Sequence, residues 1–235
     1  MAIGAAMAIS LPQFPRIAWE PAMNSRLLLW LGILFAFPAH ADNLVMNGSD
    51  EAALVDGLIP GWTDVVGAHW GQRSANPPAY DGTYYFFEGT DPSGTLQQVV
   101  DVSSYEGTID QSRQNFDFSG YVRSYPQTPS DTSEITVQFL DAGQAPLLTL
   151  DSGQISNTTD WQQVAFSHIA PIGTRSIAIV LTAIRYNGTN NDGYFDDISL
   201  NTETLPVPEP GTSALLGVGL GGWLLVRRRQ GRRLG

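Results

Sequence analysis

The chain has 235 residues, 23 acidic against 12 basic side chains, a net charge of −11 and no cysteine. Without cysteine it builds no disulfide scaffold, thiolate metal site or cysteine nucleophile. The acidic balance excludes a nucleic-acid-binding surface and disfavours anionic headgroups, since both would be repelled.

Residues 1–22 show no periodicity, contain Pro12, Pro15 and Pro21, and read as an upstream extension before Met23, the better initiator. From Met23 the chain runs through Asn24, Ser25 and Arg26 into an apolar stretch, 27–37, and then Ala39-His40-Ala41. A charged start, a short apolar run and small residues at −3 and −1 make a signal peptide over 23–41, with the mature chain starting at Asp42. A permanent N-terminal anchor is the alternative, and the run is short for one.

Residues 42–205 are enough for one domain with a sizeable core. They carry 21 acidic residues against five arginines, a net charge of about −16 with histidine neutral. No amphipathic helix of a dozen residues is visible. Strands are expected at 43–46, 83–88, 94–100, 115–124, 134–140, 147–152, 162–167, 176–184 and 193–200. Between them stand turn dipeptides such as Asn47-Gly48, Asp81-Gly82, Ala142-Gly143 and Asn187-Gly188. The pattern predicts an all-β antiparallel sandwich of two sheets.

The tail, 206–235, has three parts: Val207-Pro208-Glu209-Pro210, an apolar glycine-rich run over 213–226, and a basic end that opens with Arg227, Arg228 and Arg229. About 14 apolar residues span roughly 21 Å as a helix, a thin transmembrane segment against the ~30 Å hydrocarbon core. A buried core helix tolerates such an arginine cluster poorly, whereas the positive-inside rule explains it. This three-part order resembles the PEP-CTERM sorting tail of Gram-negative bacteria. The resemblance implies an exosortase-type sorting protease as partner, export through the inner membrane, transient anchoring by the C-terminal helix, and release to the outer surface or extracellular matrix.

Within the ectodomain, NLVMNGSDE, IPGW, YDGTYYFF, TTDWQQVAF, APIGTRSIAIVL and GYFDDISL occur in that order. Together they resemble the galactose-binding-like jelly roll of many carbohydrate-binding modules. Asp50 departs from that pattern, which places an aromatic residue there. Trp62 and Trp161 match core-packing positions of the family.

Two constellations carry chemistry. In GYFDDISL, strict alternation puts Asp196 on one face with Ile198 and Leu200, so an inward Asp196 needs a partner. Calcium, a hard ion taking six to eight oxygens, fits an acidic exported domain. The resemblance implies a structural Ca²⁺ joining the first and last strands through Glu51 and Asp196. An aspartate that only accepts hydrogen bonds from turn amides is the alternative. In NFDFSGYVRSY, Phe116, Phe118 and Val122 share one face, while Asp117, Ser119, Tyr121, Arg123 and Tyr125 share the other. The second face mixes rings with hydrogen-bonding groups, as a sugar requires. Tyr121, Arg123 and Tyr125 are the leading ligand candidates, with Gln138 from the following strand and Trp70 and Tyr186 from loops; an ordinary solvated face is the alternative.

Catalysis has little to stand on. After the signal peptide only His69 and His168 remain, neither within HExxH nor beside GxSxG, and no pair of acids has a distinctive setting. The expectation is a non-enzymatic surface or matrix protein that binds carbohydrate or exopolysaccharide. Its rivals are a purely structural matrix or biofilm component and, more remotely, a secreted hydrolase.

Overall fold

The computed structural model describes residues 43–68 and 70–207. The expected signal peptide, Pro208–Pro210, the expected transmembrane segment, the arginine cluster and His69 lie outside the described residues.

Among the described residues ten strands build two five-stranded antiparallel sheets: β1 (Thr63–Val66), β2 (Gly71–Arg73), β3 (Tyr85–Gly89), β4 (Ser93–Asp101), β5 (Gln114–Ser124), β6 (Thr132–Leu140), β7 (Pro146–Asp151), β8 (Gln162–Ile169), β9 (Ser176–Ile184) and β10 (Asn191–Thr204). One sheet has the order β1-β4-β9-β6-β7, the other β2-β3-β10-β5-β8. Among the described residues the helical content is a 3₁₀ turn (Ser103–Tyr105) and a four-residue helix, α1 (Glu106–Ile109). Among the described residues no helix is long and apolar enough to cross a membrane.

The sandwich follows from alternation. In β5 every second side chain is buried from Gln114 to Ser124, so Phe116, Phe118 and Val122 face Ile135, Val137 and Phe139 of β6 across the core. Gly120 falls on this inner face because a Cβ there would meet Ile198 Cδ1 at 2.7 Å. β9 is buried along nearly its whole length, as the centre of its sheet, between β4 and β6.

Eight of the nine expected strands are present, seven within about two residues of their predicted bounds and β10 running four residues past its predicted end. The segment 43–46 is instead a turn-rich arm, tied to β10 by Leu44 N–H donating to Leu200 O (2.9 Å) and by the Asn43 side chain, which bonds Ile198 O and Leu200 N. β1 and β2 were not expected. At four and three residues, with sequences TDVV and GQR, they are too short to show a period.

The alternation in β10 is broken. Its pairing with β5 runs Asp196 opposite Tyr121 and then Ser199 opposite Ser119, three residues against two. This is a β-bulge, and Asp197 adopts φ +48° within it. Phe195 therefore packs in the core, and so do Ile198 and Leu200. Asp196 points away from the core, on the outer face with Tyr194. The expectation that Asp196 shares the face of Ile198 and Leu200 is corrected by this extra residue. The bulge also receives the N-terminal arm: Ile198 N–H donates to Gly48 O (2.9 Å), and a Cβ on Gly48 would lie 2.0 Å from Ile198 O.

Candidate functional site

The outer face of the β2-β3-β10-β5-β8 sheet has two unlike halves. Toward the start of β5 it is small and polar: Ser119 and Ser199 share a hydrogen bond (2.9 Å), and Asn115 donates to Asp117 and Ser167. The other half is aromatic and lies under the β2–β3 connection, 74–84. There Tyr80 stacks on Tyr121, with centroids 3.5 Å apart and planes 17° from parallel. Trp161 meets Tyr85 edge-on and donates its Nε1–H to Pro78 O (3.0 Å). Tyr85 packs edge-on to Tyr194 and donates to Ala75 O. The connection is thus fastened to the sheet by rings and by their polar tips.

Where this connection ends, a cleft opens. Arg73, Asn76, Tyr125, Asn190 and Asp192 line a space of about 390 Å³, within the range of small-ligand sites. Asn76 and Tyr125 also border a second space of about 180 Å³, completed by Pro77, Arg123, Ser124 and Pro126. Tyr125 is 43% exposed. Arg73 is fixed by Asp192 (3.2 Å), by Tyr194 Oη (3.3 Å) and by Ala75 O, and lies over the Phe87 ring at 4.7 Å. Tyr194 donates its hydroxyl to Asp192 at 2.6 Å; burial first, then this bond, raises its pKa.

The cleft is rigid because a buried carboxylate holds its rim. Asp131 accepts backbone N–H groups from Tyr186 (2.6 Å) and Asn187 (3.1 Å) through Oδ1, and from Asp192 (2.8 Å) through Oδ2. Asn187 in turn donates to Thr128 O. The β5–β6 and β9–β10 connections are joined through one side chain, and charge-assisted bonds of this kind are the strong ones.

On the same outer face, below Tyr80, lie the acids of the expected metal site. Asp196 is fully buried and accepts three backbone amides: Tyr80 (2.7 Å) and Asp81 (3.1 Å) at Oδ2, Asp197 (2.7 Å) at Oδ1. Glu51 Oε1 accepts Thr83 N–H (2.6 Å) and Tyr84 N–H (2.7 Å). Both acids thus pin the 74–84 connection. Burial pushes Asp196 up to about 7. Asp50, also fully buried, is pushed up to about 8, chiefly by burial and further by the charges of Asp196 and Glu51. Its Oδ2 has no hydrogen-bond partner. Among the described residues, no group of three or more His, Asp or Glu side chains is arranged to hold a metal ion.

Of the six ligand candidates, Tyr125 lines the cleft and the smaller space beside it, and Arg123 lines the smaller space. Tyr121 is on the expected face but lies beneath Tyr80. Gln138 is on the opposite sheet, since β6 pairs with β7 and β9. Trp70 is a core residue, 3% exposed and packed against Phe195. Tyr186 is exposed on the β9–β10 connection, its hydroxyl bonded to Gln154, and does not line the cleft. Trp161, read as core-packing, packs on the outer face against Tyr85, while Trp62 is in the core. His168 sits on the edge strand β8 beside Phe139. Arg73, Asn76, Asn190 and Asp192 were not anticipated; the one available signal was their position next to turn residues flanking strands.

Residues 206–229 match the PEP-CTERM protein-sorting motif. A search of curated proteins finds no match. Solved structures similar to this chain include the enzymatically active domain of tailspike protein 4 of bacteriophage CBA120, with TM-score 0.50 and 15% identity. That match covers 68% of this chain and 21% of the other, so the chain spans about a fifth of its length. TmCBM61, solved with β-1,4-galactotriose, matches with TM-score 0.47 and 17% identity over 68% of this chain and 99% of that one. The CBM22-1 xylan-binding domain of Paenibacillus barcinonensis Xyn10C matches with TM-score 0.44 and 15% identity, over 72% and 98% of the two chains. These likenesses concern the fold, an antiparallel sandwich of two sheets.

Proposed function

We propose that this protein is exported, sorted by an exosortase-type protease acting on its tail, and delivered to the outer surface or extracellular matrix, where its sandwich binds carbohydrate. The sorting half rests on the motif match over 206–229, with the signal-peptide pattern at the other end of the sequence. The binding half rests on one observation, the cleft beside Tyr125. There an exposed ring stands next to two amides and a fixed arginine–aspartate pair. A pyranose offers C–H faces to a ring and hydroxyls to planar polar groups, so it uses both kinds of wall. The role is binding rather than catalysis. Among the described residues the cleft carries a single carboxylate, Asp192, already engaged by Arg73 and Tyr194, whereas glycoside hydrolysis takes a pair.

The test is glycan-array binding by the secreted mature protein. Retention on a defined set of polysaccharides, lost in Tyr125→Ala and Asn190→Ala but kept in Gln138→Ala, is the expected result. No retention on any glycan leaves the purely structural matrix component as the reading.

Calcium at Glu51 and Asp196 belongs to the same proposal. Its support is the crowding of Asp50, Glu51 and Asp196, with a buried carboxylate oxygen of Asp50 that has no hydrogen-bond partner. Against it stand the backbone amides that already occupy Asp196 and Glu51. A bound cation would share oxygens that these amides use and would neutralise the cluster. Melting curves in calcium and in EDTA decide between the two arrangements.

A further inference from the structure

We infer that the cleft takes an acidic sugar, with the guanidinium of Arg123 receiving its carboxylate; this rests on the carbohydrate-binding reading above and specifies the class of sugar.

Residues 42–205 contain five arginines and 21 acids. Four of the arginines are engaged. Arg73 is held by Asp192, Arg113 by Gln111 and Leu205 O, Arg175 by Asp110 and Glu106, and Arg185 by Thr90 O and Thr189 O. The Arg123 side chain makes no hydrogen bond or ion pair among the described residues, and its Nε is buried without an acceptor. In so acidic a domain an arginine meets carboxylates easily, and a buried donor left unmade is costly. The groups around Arg123 are already committed. Tyr194, its cross-strand neighbour, gives its hydroxyl to Asp192, and Tyr85 gives its own to Ala75 O.

Arg123 is nevertheless only half-buried. It lines the 180 Å³ space with Asn76, Pro77 and Tyr125, which opens beside the larger cleft through their shared walls, Asn76 and Tyr125. A guanidinium presents a planar fork that matches a carboxylate. A uronate ring laid against Tyr125 brings both of its features to prepared surfaces, its C–H face to the ring and its carboxylate to Arg123. The net charge of the domain repels polyanions at long range, but screening at ~0.15 M salt confines that repulsion to about 8 Å. Recognition then depends on the local cation.

The test is calorimetric titration of the secreted mature protein with oligosaccharides of galacturonate, glucuronate and mannuronate, with their methyl esters, and with a sulfated oligosaccharide. At least one uronate is expected to bind about tenfold more tightly than its ester, the worth of one charge-assisted pair. R123Q should remove that difference, R123K should keep part of it, and the melting curves of both variants confirm the fold. Equal binding of acid and ester, a preference that survives R123Q, or tighter binding of the sulfated sugar each overturns the assignment. If neutral or esterified sugars still bind in a Tyr125-dependent way, the carbohydrate reading stands without it. If no sugar of any kind binds, both fall.

Discussion

Tyr80 lies flat on Tyr121, with ring centroids 3.5 Å apart, so the aromatic face that looks free in the sequence of β5 is already occupied by the protein's own loop. Such pairs contribute about 0.5–1.5 kcal/mol beyond the area they bury. Tyr80→Ala and Tyr121→Ala should each lower stability, and the double variant should cost about 1 kcal/mol less than the sum of the two. Denaturant unfolding of the four proteins measures this coupling. Additive losses would mean that the two rings do not act as a pair.

Tyr125 stands apart from that stack. Removing its ring, 43% exposed, should cost little stability, within about 0.5 kcal/mol, while glycan retention falls roughly tenfold, as expected for a lost stacking platform. Thermal melting and affinity electrophoresis on the same variant separate the two effects. A large fall in melting temperature would move Tyr125 from the ligand to the fold.

The buried acids make stability depend on pH. In the unfolded chain Asp50 and Asp196 lose their protons near pH 4, but in the fold burial raises them to about 8 and about 7. Between these limits the folded state binds more protons than the unfolded one, so stability declines as pH rises from about 4 to 8. In EDTA the melting temperature should be higher at pH 5 than at pH 8. Asp50→Asn should flatten the slope and stabilise the protein at pH 8, on the order of a few kcal/mol. A melting temperature that climbs across this range would contradict the burial of these groups.

The proposed calcium would act on the same acids. Metal that binds the folded state alone adds RT ln(1 + [L]/Kd), about 2.7 kcal/mol at a hundredfold excess over Kd, or a rise of about 5–10 °C for a domain of this size. Because protons compete for the same oxygens, the rise should be larger at pH 8 than at pH 6. Asp196→Asn should abolish most of it, and Asp197→Asn much less. Identical melting curves in calcium and in EDTA would leave Asp196 and Glu51 as acceptors for the loop amides and nothing more.

Processing gives a prediction independent of the fold. Protein recovered from the medium should lack residues 1–41 and most of the chain beyond Pro210. Intact-mass measurement decides this. If secreted material still contains Trp223, the tail is not a cleavage signal.

The sequence made the architecture readable wherever alternation was uninterrupted. β5 shows this best, since Phe116, Phe118 and Val122 face the core as the period-two pattern requires. Three features were hidden for distinct reasons. The bulge at Asp197 reverses the face of Asp196 relative to Ile198, and an inserted residue leaves no mark in composition. Gln138 follows Tyr121 in sequence but stands in the other sheet, because in a sandwich the next strand often crosses over rather than pairing. Trp70, flanked by polar and glycine residues, looks like a loop residue, yet it fills the core next to Phe195. The cleft itself is assembled from three connections, and which turns meet is decided by sheet order and by Asp131, not by any local pattern.

β10 runs from Asn191, at the cleft, to Thr204, after which Leu205 N–H bonds Arg113 O and the chain leaves toward its tail. At ~3.3 Å per residue its 14 residues extend about 40 Å. If the tail holds the protein as proposed, the strand would work as a mast, since the cleft lies at its start and the chain departs toward the tail from its end. Many copies held side by side would present their clefts as a lawn at one height. A long polymer caught by one copy then meets the next at an effective concentration set by their spacing. Capture of this kind needs only weak individual grips, and cutting the tail would end it by releasing each mast singly.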